Sequence, residues 1–346
     1  MGKYINSFVQ VLNNKYNYKP LGLLKKDNLC NNEDYFSFGF ANYIAWEQLS
    51  LLKYRNQSKG PMIFPYNTAP LFLKESPDNI LILHDVIFLN RSPTKSLKQK
   101  IGQLYRSFIV PVIVHKFQHI ITVSEYSKNQ IIQRLKVSPE KIDVIPNSVS
   151  LTDNFENENP DFEDRDNVIF HIGGEPDYKN SKMLLYAFAG LPISIKENYR
   201  LKMIGIRDLK TLNEYRTIAE QLNIIDNIIF LDYQTDLEIK ELYQNSKLFI
   251  FPSKEEGFGI PIIEAMKYGC SLICSNASCL PEIAGEGAVY FDPNDQISLI
   301  NAITSTLDDK KAIETRILQG YEQVKKYSFE AFEQKIIFWY KNRFKL

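Results

Sequence analysis

The sequence predicts an α/β protein made of two doubly wound domains facing a cleft. Three observations carry that prediction. Short apolar runs alternate with stretches of helical spacing along nearly the whole chain. A polar, acidic stretch, SLTDNFENENPDFEDRDN (150–167), interrupts the alternation and separates two halves. The length of 346 residues fits about two domains of roughly 150 residues each.

The chain opens with MGKYINSFVQVLNN, a small loop running into an amphipathic helix on which Tyr4, Ile5, Phe8, Val9 and Leu12 share one face. An α/β domain ordinarily opens with a strand feeding such a loop. The expectation is therefore that the N-terminal domain lacks its first strand or that the start at Met1 is too late. Buried strands are expected at PMIFP (61–65), NILILHD (79–85), HIITVS (119–124) and KIDVIPN (141–147). TKSLKQKIGQLYRSFIVPVIVHKF and SEYSKNQIIQRLK read as the helices between them, the second capped by Ser124 or Ser127. Residues 1–150 form the first domain, 151–166 a linker and 167–328 the second domain. There, strands are expected at VIFHIGG (168–174), YRLKMIG (199–205), NIIFLDY (227–233), LFIFPS (248–253) and SLICSN (271–276). Helical patterns lie between them. The aromatic-rich helix of 329–346 is expected to pack back on the first domain.

Zero net charge hides an asymmetry. Residues 1–150 hold 19 Lys/Arg against 10 Asp/Glu, and residues 151–346 hold 22 against 31. A basic first half points to an anionic partner, a phospholipid surface or a phosphorylated lipid. No nucleic-acid-binding motif accompanies it, so nucleic acid is not expected. Four cysteines (Cys30, Cys270, Cys274, Cys279), without a CxxC or a histidine partner, read as small buried residues in a reducing compartment. No signal peptide is recognised, and the longest apolar run, FIVPVIV (108–114), is far short of the ~18 residues that span a bilayer. The expected location is the cytoplasm, at most the inner face of the plasma membrane.

Two segments carry candidate chemistry. In VIFHIGGEPDYKN a strand ends in Gly173 and Gly174, which permit close backbone approach, and Lys179 precedes a helix that Asn180 or Ser181 caps. This is the shape of a phosphate site, though not a Walker loop, because GK[ST] is absent. In FIFPSKEEGFGIPIIEAMKYG a strand ends near Pro252-Ser253, and Pro261 occupies the first turn of the next helix. The amides of Phe258, Gly259 and Ile260 can face a phosphate. Glu264 is expected in that helix's first turn, with Glu256 across the loop. Carboxylates touching phosphates would repel them, so these two suit hydroxyls, a sugar on one side and a ribose on the other. The bland alternative is an acid that merely favours the helix dipole.

The segment FPSKEEGFGIPIIEAMKYGCSLICSNASCLPEIAGEGAVYFDP resembles the donor-binding segment of the family 4 retaining glycosyltransferases. Glu256 and Glu264 match the family's Glu-x7-Glu motif. YKN (178–180) resembles its Arg-Lys-Asn element, with Tyr178 where arginine is common. Glu175 follows Gly174 where the family often has an arginine, which leaves one phosphate contact in doubt. SEYSKNQII and KIDVIPNSV are similar to the end of the family's first domain. WEQL (46–49), YNTAPL (66–71) and LHDVIFL (83–89) resemble a bacterial subgroup of polysaccharide mannosyl- and rhamnosyltransferases.

The resemblance covers nearly the whole chain and implies the glycosyltransferase B fold, two Rossmann-like domains. It implies that Glu264 binds ribose hydroxyls, that Glu256 contacts the sugar, and that Lys179 and the 258–260 amides hold the diphosphate. It places Asp232 and Tyr233 near the base, and His84 by the donor sugar from across the cleft. The implied substrates are a nucleotide-sugar, GDP-mannose by subgroup, and a glycan or lipid-linked acceptor of surface polysaccharide synthesis. No cofactor or metal is expected. Asp164 and Asp166 form an Asp-x-Asp, but in a solvated acidic stretch. His115 and His119 lie four apart on one helical face without an acidic ligand and read as structural. A sugar-nucleotide epimerase of the same fold and a non-catalytic nucleotide-sugar binder are the alternatives.

Overall fold

The computed structural model describes residues 2–16, 21–25, 35–90 and 97–344. Met1 and Cys30 lie outside the described residues. The chain forms two compact units: one contains Met1–Asn90, Lys98–Ser148 and Glu330–Leu346, and the other is built on Val149–Phe329.

In the first unit, β1 (Gly22–Lys25) and β2 (Tyr35–Phe38) form a small parallel pair. The main sheet is four-stranded and parallel, in the order β3 (Met62–Phe64), β4 (Asn79–Ile82), β5 (His119–Thr122), β6 (Ile142–Val144). Its strands are near-continuous apolar runs because helices cover parallel sheets. Leu81, Ile120 and Ile142 join Val110, Ile113 and Phe117 in the core. Ser124 is the cap of Glu125–Leu135, its hydroxyl accepting from the Ser127 amide at 3.0 Å. The first helix, Gly2–Tyr16, buries Tyr4, Phe8 and Val11. The last, Phe329–Phe344, meets it edge-on through Phe332 against Tyr4 and Trp339 against Phe8. Trp339 Nε1 and the Arg343 guanidinium both donate to Asp143, each at 2.9 Å, anchoring the same helix to β6.

His115 and His119 do not share a helical face. The helix Leu97–Ile113 ends before them, leaving His115 in an exposed turn and His119 buried on β5. The spacing of four misled because the apolar run passes from helix into strand without a polar break.

The second unit is a six-stranded, all-parallel sheet of β7 (Asp166–Ile172), β8 (Arg200–Ile204), β9 (Ile228–Phe230), β10 (Ser246–Phe251), β11 (Ser271–Ser275) and β12 (Ala288–Phe291). Read across the sheet the order is β9-β8-β7-β10-β11-β12. The strand order reverses between β7 and β10, and in such sheets the crevice for ligands opens beyond the carboxyl ends there. The polar stretch before β7 packs on this unit. Phe155 is buried against Tyr321, and the buried Arg165 donates to the carbonyls of Pro160, Tyr243 and Tyr268 at 3.1, 3.0 and 2.9 Å. Cys270, Cys274 and Cys279 are buried free thiols. No helix among the described residues is long and apolar enough to cross a membrane.

Candidate functional site

The carboxyl ends of β7 and β10 bring the two glycine segments together. Gly173 has no room for a side chain: a Cβ there would lie 2.7 Å from Ser181 Oγ and 3.0 Å from His171 Nε2. His171 is fully buried, with Nδ1 2.9 Å from the Ile250 carbonyl and Nε2 2.9 Å from Ser181 Oγ. A carbonyl only accepts, so Nδ1 carries the proton and Nε2 accepts from the serine. Burial pushes this imidazole down to about 4, which keeps it neutral. The pair fixes the start of helix Ser181–Ala189 beneath the glycine turn. Neither expected cap operates there as read. Ser181 serves His171, and Asn180 is left-handed (φ 57°), its side-chain Nδ2 donating to the Pro293 carbonyl at 2.9 Å.

Across the strand-order reversal, Lys179 Nζ meets Glu256 Oε1 at 2.7 Å. The Lys254 amide donates to the Tyr178 carbonyl at 2.7 Å, a main-chain tie between the same two loops. Glu256 is held from behind as well: its amide donates to Ser278 Oγ at 3.2 Å, and its carbonyl accepts from the Cys279 thiol at 3.2 Å. Phe258 buries its ring edge-on against Tyr327. Gly259 adopts φ 91° before helix Ile260–Lys267, where a Cβ would press Ile262 and Leu280 at 3.0 Å. Pro261 sits in the first turn. An α-helix leaves its first amides without internal partners, so 258–260 present the start of a helix to the crevice.

Glu264 is the fifth residue of the helix, one position past the first turn expected for it, because the helix begins at Ile260 rather than at Pro261. Its Oε2 accepts from the buried Tyr243 hydroxyl at 3.3 Å. Burial, and then the Glu264 charge, push the Tyr243 phenol well above its ordinary value, so it remains a donor. Asp232 and Tyr233 follow β9 in an exposed turn, Tyr233 at 78% exposure.

Sequence reasoning missed Arg207, whose guanidinium lies over the Tyr233 ring at 6.0 Å. It also missed what Glu175 does: Oε1 accepts from the Arg207 and Asp208 amides at 2.9 and 3.2 Å. The residue in the place of a family arginine thus ties the loop after β8 to the loop after β7. The absent arginine was the only signal in the sequence.

His84 belongs to the first unit, just past the carboxyl end of β4. It is buried, its ring hydrogen-bonds the Pro65 carbonyl, and burial lowers it to about 4. Nε2 has no hydrogen-bond partner, so Nδ1 bears the proton and a lone pair is left over. The Tyr4 ring meets it edge-on at 5.2 Å. Its amide donates to Asn67 Oδ1 at 2.8 Å, and Asn67 itself is left-handed (φ 63°). Among the described residues no group of three or more His, Cys, Asp or Glu is arranged to hold a metal.

The model of the family described as Glycosyl transferases group 1 matches residues 153–331, and that of Glycosyltransferase Family 4 matches 58–153. The chain belongs to the group 1 glycosyl transferases. Among curated relatives of this family member, the O-antigen chain mannosyltransferase B of Escherichia coli is 33% identical over 46% of this chain and 42% of its own length. The O-antigen chain mannosyltransferase RfbU of Salmonella typhimurium is 26% identical over 86% of this chain and 77% of its own. The first of these matches thus spans less than half of the relative. The crystal structure of WaaG, a glycosyltransferase involved in lipopolysaccharide biosynthesis, superposes with a TM-score of 0.68 over 96% of this chain and 93% of that one, at 13% identity. Sucrose-phosphate synthase from Thermosynechococcus elongatus gives a TM-score of 0.64 over 97% of this chain and 76% of its own, at 18% identity. The fold is that of the glycosyltransferase B class, two Rossmann-like units with parallel sheets.

Proposed function

We infer that this protein is a retaining hexosyltransferase that moves a sugar from a nucleotide-sugar, GDP-mannose foremost, to a glycan or lipid-linked acceptor of bacterial surface polysaccharide. The observation that carries this reading is the Lys179–Glu256 pair at 2.7 Å, set where the strand order reverses. A cation and a carboxylate held in one crevice suit a ligand that is anionic at one end and hydroxylated at the other. The names of the mannosyltransferase relatives favour mannose as the sugar, and GDP as its carrier rests on the resemblance to the mannosyltransferase subgroup.

In this reading Lys179 and the 258–260 amides take the diphosphate. Glu256 turns to the sugar, and Glu264 accepts from the ribose hydroxyls. Asp232 and Tyr233 lie by the base. His84, with a free nitrogen lone pair, takes a sugar hydroxyl. The sugar passes through an oxocarbenium-like state, the bond from its anomeric carbon to the diphosphate oxygen breaking as the acceptor oxygen bonds on the same face. The acceptor's proton goes to the departing diphosphate. No enzyme nucleophile or metal takes part, and the rate comes from stabilising phosphate charge and positioning the acceptor.

Calorimetric titration with GDP, UDP, ADP, CDP and dTDP in EDTA tests the donor half. GDP should bind selectively, and Glu264→Ala and Lys179→Ala should each weaken it about tenfold or more, the cost of a charge-assisted hydrogen bond. Binding of no nucleotide at millimolar concentration, or binding only with added metal, overturns the reading.

A further inference from the structure

The helix Leu97–Ile113 has an unusual outer face. Crossover helices of α/β sheets bury an apolar stripe and turn charge to water. This one buries Val110 and Ile113, and the Tyr105 hydroxyl donates inward to Glu47. Gln103 and Ser107 bond the carbonyl of Phe88 at 3.2 and 3.0 Å. The outer face is nevertheless apolar too. Ile101, Leu104, Phe108 and Val112 follow one another at helical spacing and are 50, 59, 69 and 51% exposed. Phe72, 75% exposed, follows Leu71, whose carbonyl accepts from Lys116 at 2.6 Å just beyond the helix.

The charges around the stripe have one sign. Between Asp85 and Glu125 the sequence has no acid and six Lys/Arg. Lys100 is exposed beside Ile101, and Arg106 lies between Leu104 and Phe108. A helix whose exposed face is apolar and whose only charges are cationic matches an interface between acyl chains and anionic headgroups. A second copy of this chain fits poorly, because a symmetric contact would set Lys100 and Arg106 against their own kind with no acid to pair them.

We propose that the Ile101–Leu104–Phe108–Val112 face of helix Leu97–Ile113 is a membrane-docking surface that inserts shallowly into an anionic phospholipid leaflet. The apolar side chains enter the acyl boundary, and the cations remain at headgroup level. The proposal is independent of the donor reading, since nucleotide binding belongs to the other unit.

The test is co-sedimentation of the full chain with vesicles of phosphatidylglycerol and phosphatidylcholine in equal parts, against vesicles of phosphatidylcholine alone. Binding should favour the anionic vesicles and fall several-fold between 50 mM and 500 mM salt, as screening requires. Leu104→Ser with Phe108→Ser should cut the partition at least tenfold, and Lys100→Gln by a few fold. Both sites are exposed, so the thermal midpoint and nucleotide binding should stay as they are. Equal sedimentation of the wild type and the double variant, no binding to either vesicle at low salt, or a wild-type dimer that the double variant abolishes without any lipid binding, each overturns the proposal.

Discussion

The two units handle polar groups in opposite ways. The second concentrates them at the end of its sheet, on loops tied to each other: Lys179 to Glu256, Lys254 to Tyr178, Glu175 to Arg207 and Asp208. The first buries a heavily bonded carboxyl group away from solvent. Glu47 is 1% exposed in a turn of π-helix, Trp46–Leu51, and accepts from four donors: Tyr43 at 2.9 Å, Thr68 at 2.6 Å, Gln48 at 3.2 Å and Tyr105. Burial comes first among the causes that push the Tyr43 and Tyr105 phenols up, so both stay donors. One arrangement leaves polar groups where a ligand can take them over. The other uses them up on architecture, fastening the loop after β3 and the helix Leu97–Ile113 to each other. Polar density alone therefore does not mark a site; exchangeability does.

The sharpest way to break this contrast is Glu47→Ala. It removes the acceptor on which the Tyr43, Thr68 and Tyr105 hydroxyls converge, leaving Gln48 its bond to Tyr105, and should cost about 3–5 kcal/mol, read as a drop in the denaturation midpoint. Glu47→Gln, which keeps one acceptor oxygen, should cost less. A loss below about 1 kcal/mol for the alanine variant would show the network to be as dispensable as a surface cluster.

A comparable but pH-gated effect belongs to His171. Its pKa falls from 6.5 to about 4 on folding, so the unfolded chain binds the extra proton between those values. Stability is fully present above pH 6.5 and declines as pH falls toward 4, by up to about 3 kcal/mol at about 1.4 per unit. The neutral His171→Gln variant should show a shallower acid limb in urea titrations at pH 4–6.5. An unchanged slope would assign the limb to other groups, His84 among them.

The smallest effect concerns Glu175→Ala. The loop after β8 loses a half-buried acceptor for two amides near the surface, so stability should move by only about 1 kcal/mol. Freed of its tie, Arg207 should sample more positions, and the nucleotide dissociation constant should rise a few fold. Tighter binding would mean that the Glu175 charge repels the diphosphate more than the tie helps it.

What was legible in the sequence follows from the same contrast. Strands buried on both faces write themselves as apolar runs, and β3 to β8, β10 and β11 stand where PMIFP through SLICSN placed them. β9 is shorter than NIIFLDY because the chain turns after Phe230, freeing Asp232 and Tyr233. β12 was missed: AVYF is short and follows a glycine-rich turn, which hides a period. β1 and β2 were missed for the same shortness. Gly173, Lys179, Glu256 and Gly259 could be found because motif spacing is local. The partners of Glu47 could not. Thr68 and Tyr105 are 21 and 58 residues away, and only packing brings them together.

On the proposed reading, the Lys179–Glu256 contact also decides which anions the crevice turns away. The lysine has an anion of the protein's own at 2.7 Å. A lone orthophosphate offers it little that the carboxylate does not, and would leave Glu256 stranded. Only a molecule that satisfies both partners at once, with negative oxygens for one and hydroxyls for the other, repays their separation. On the proposed reading the internal pair would act as a filter against abundant small anions, tuned by competition and not by shape.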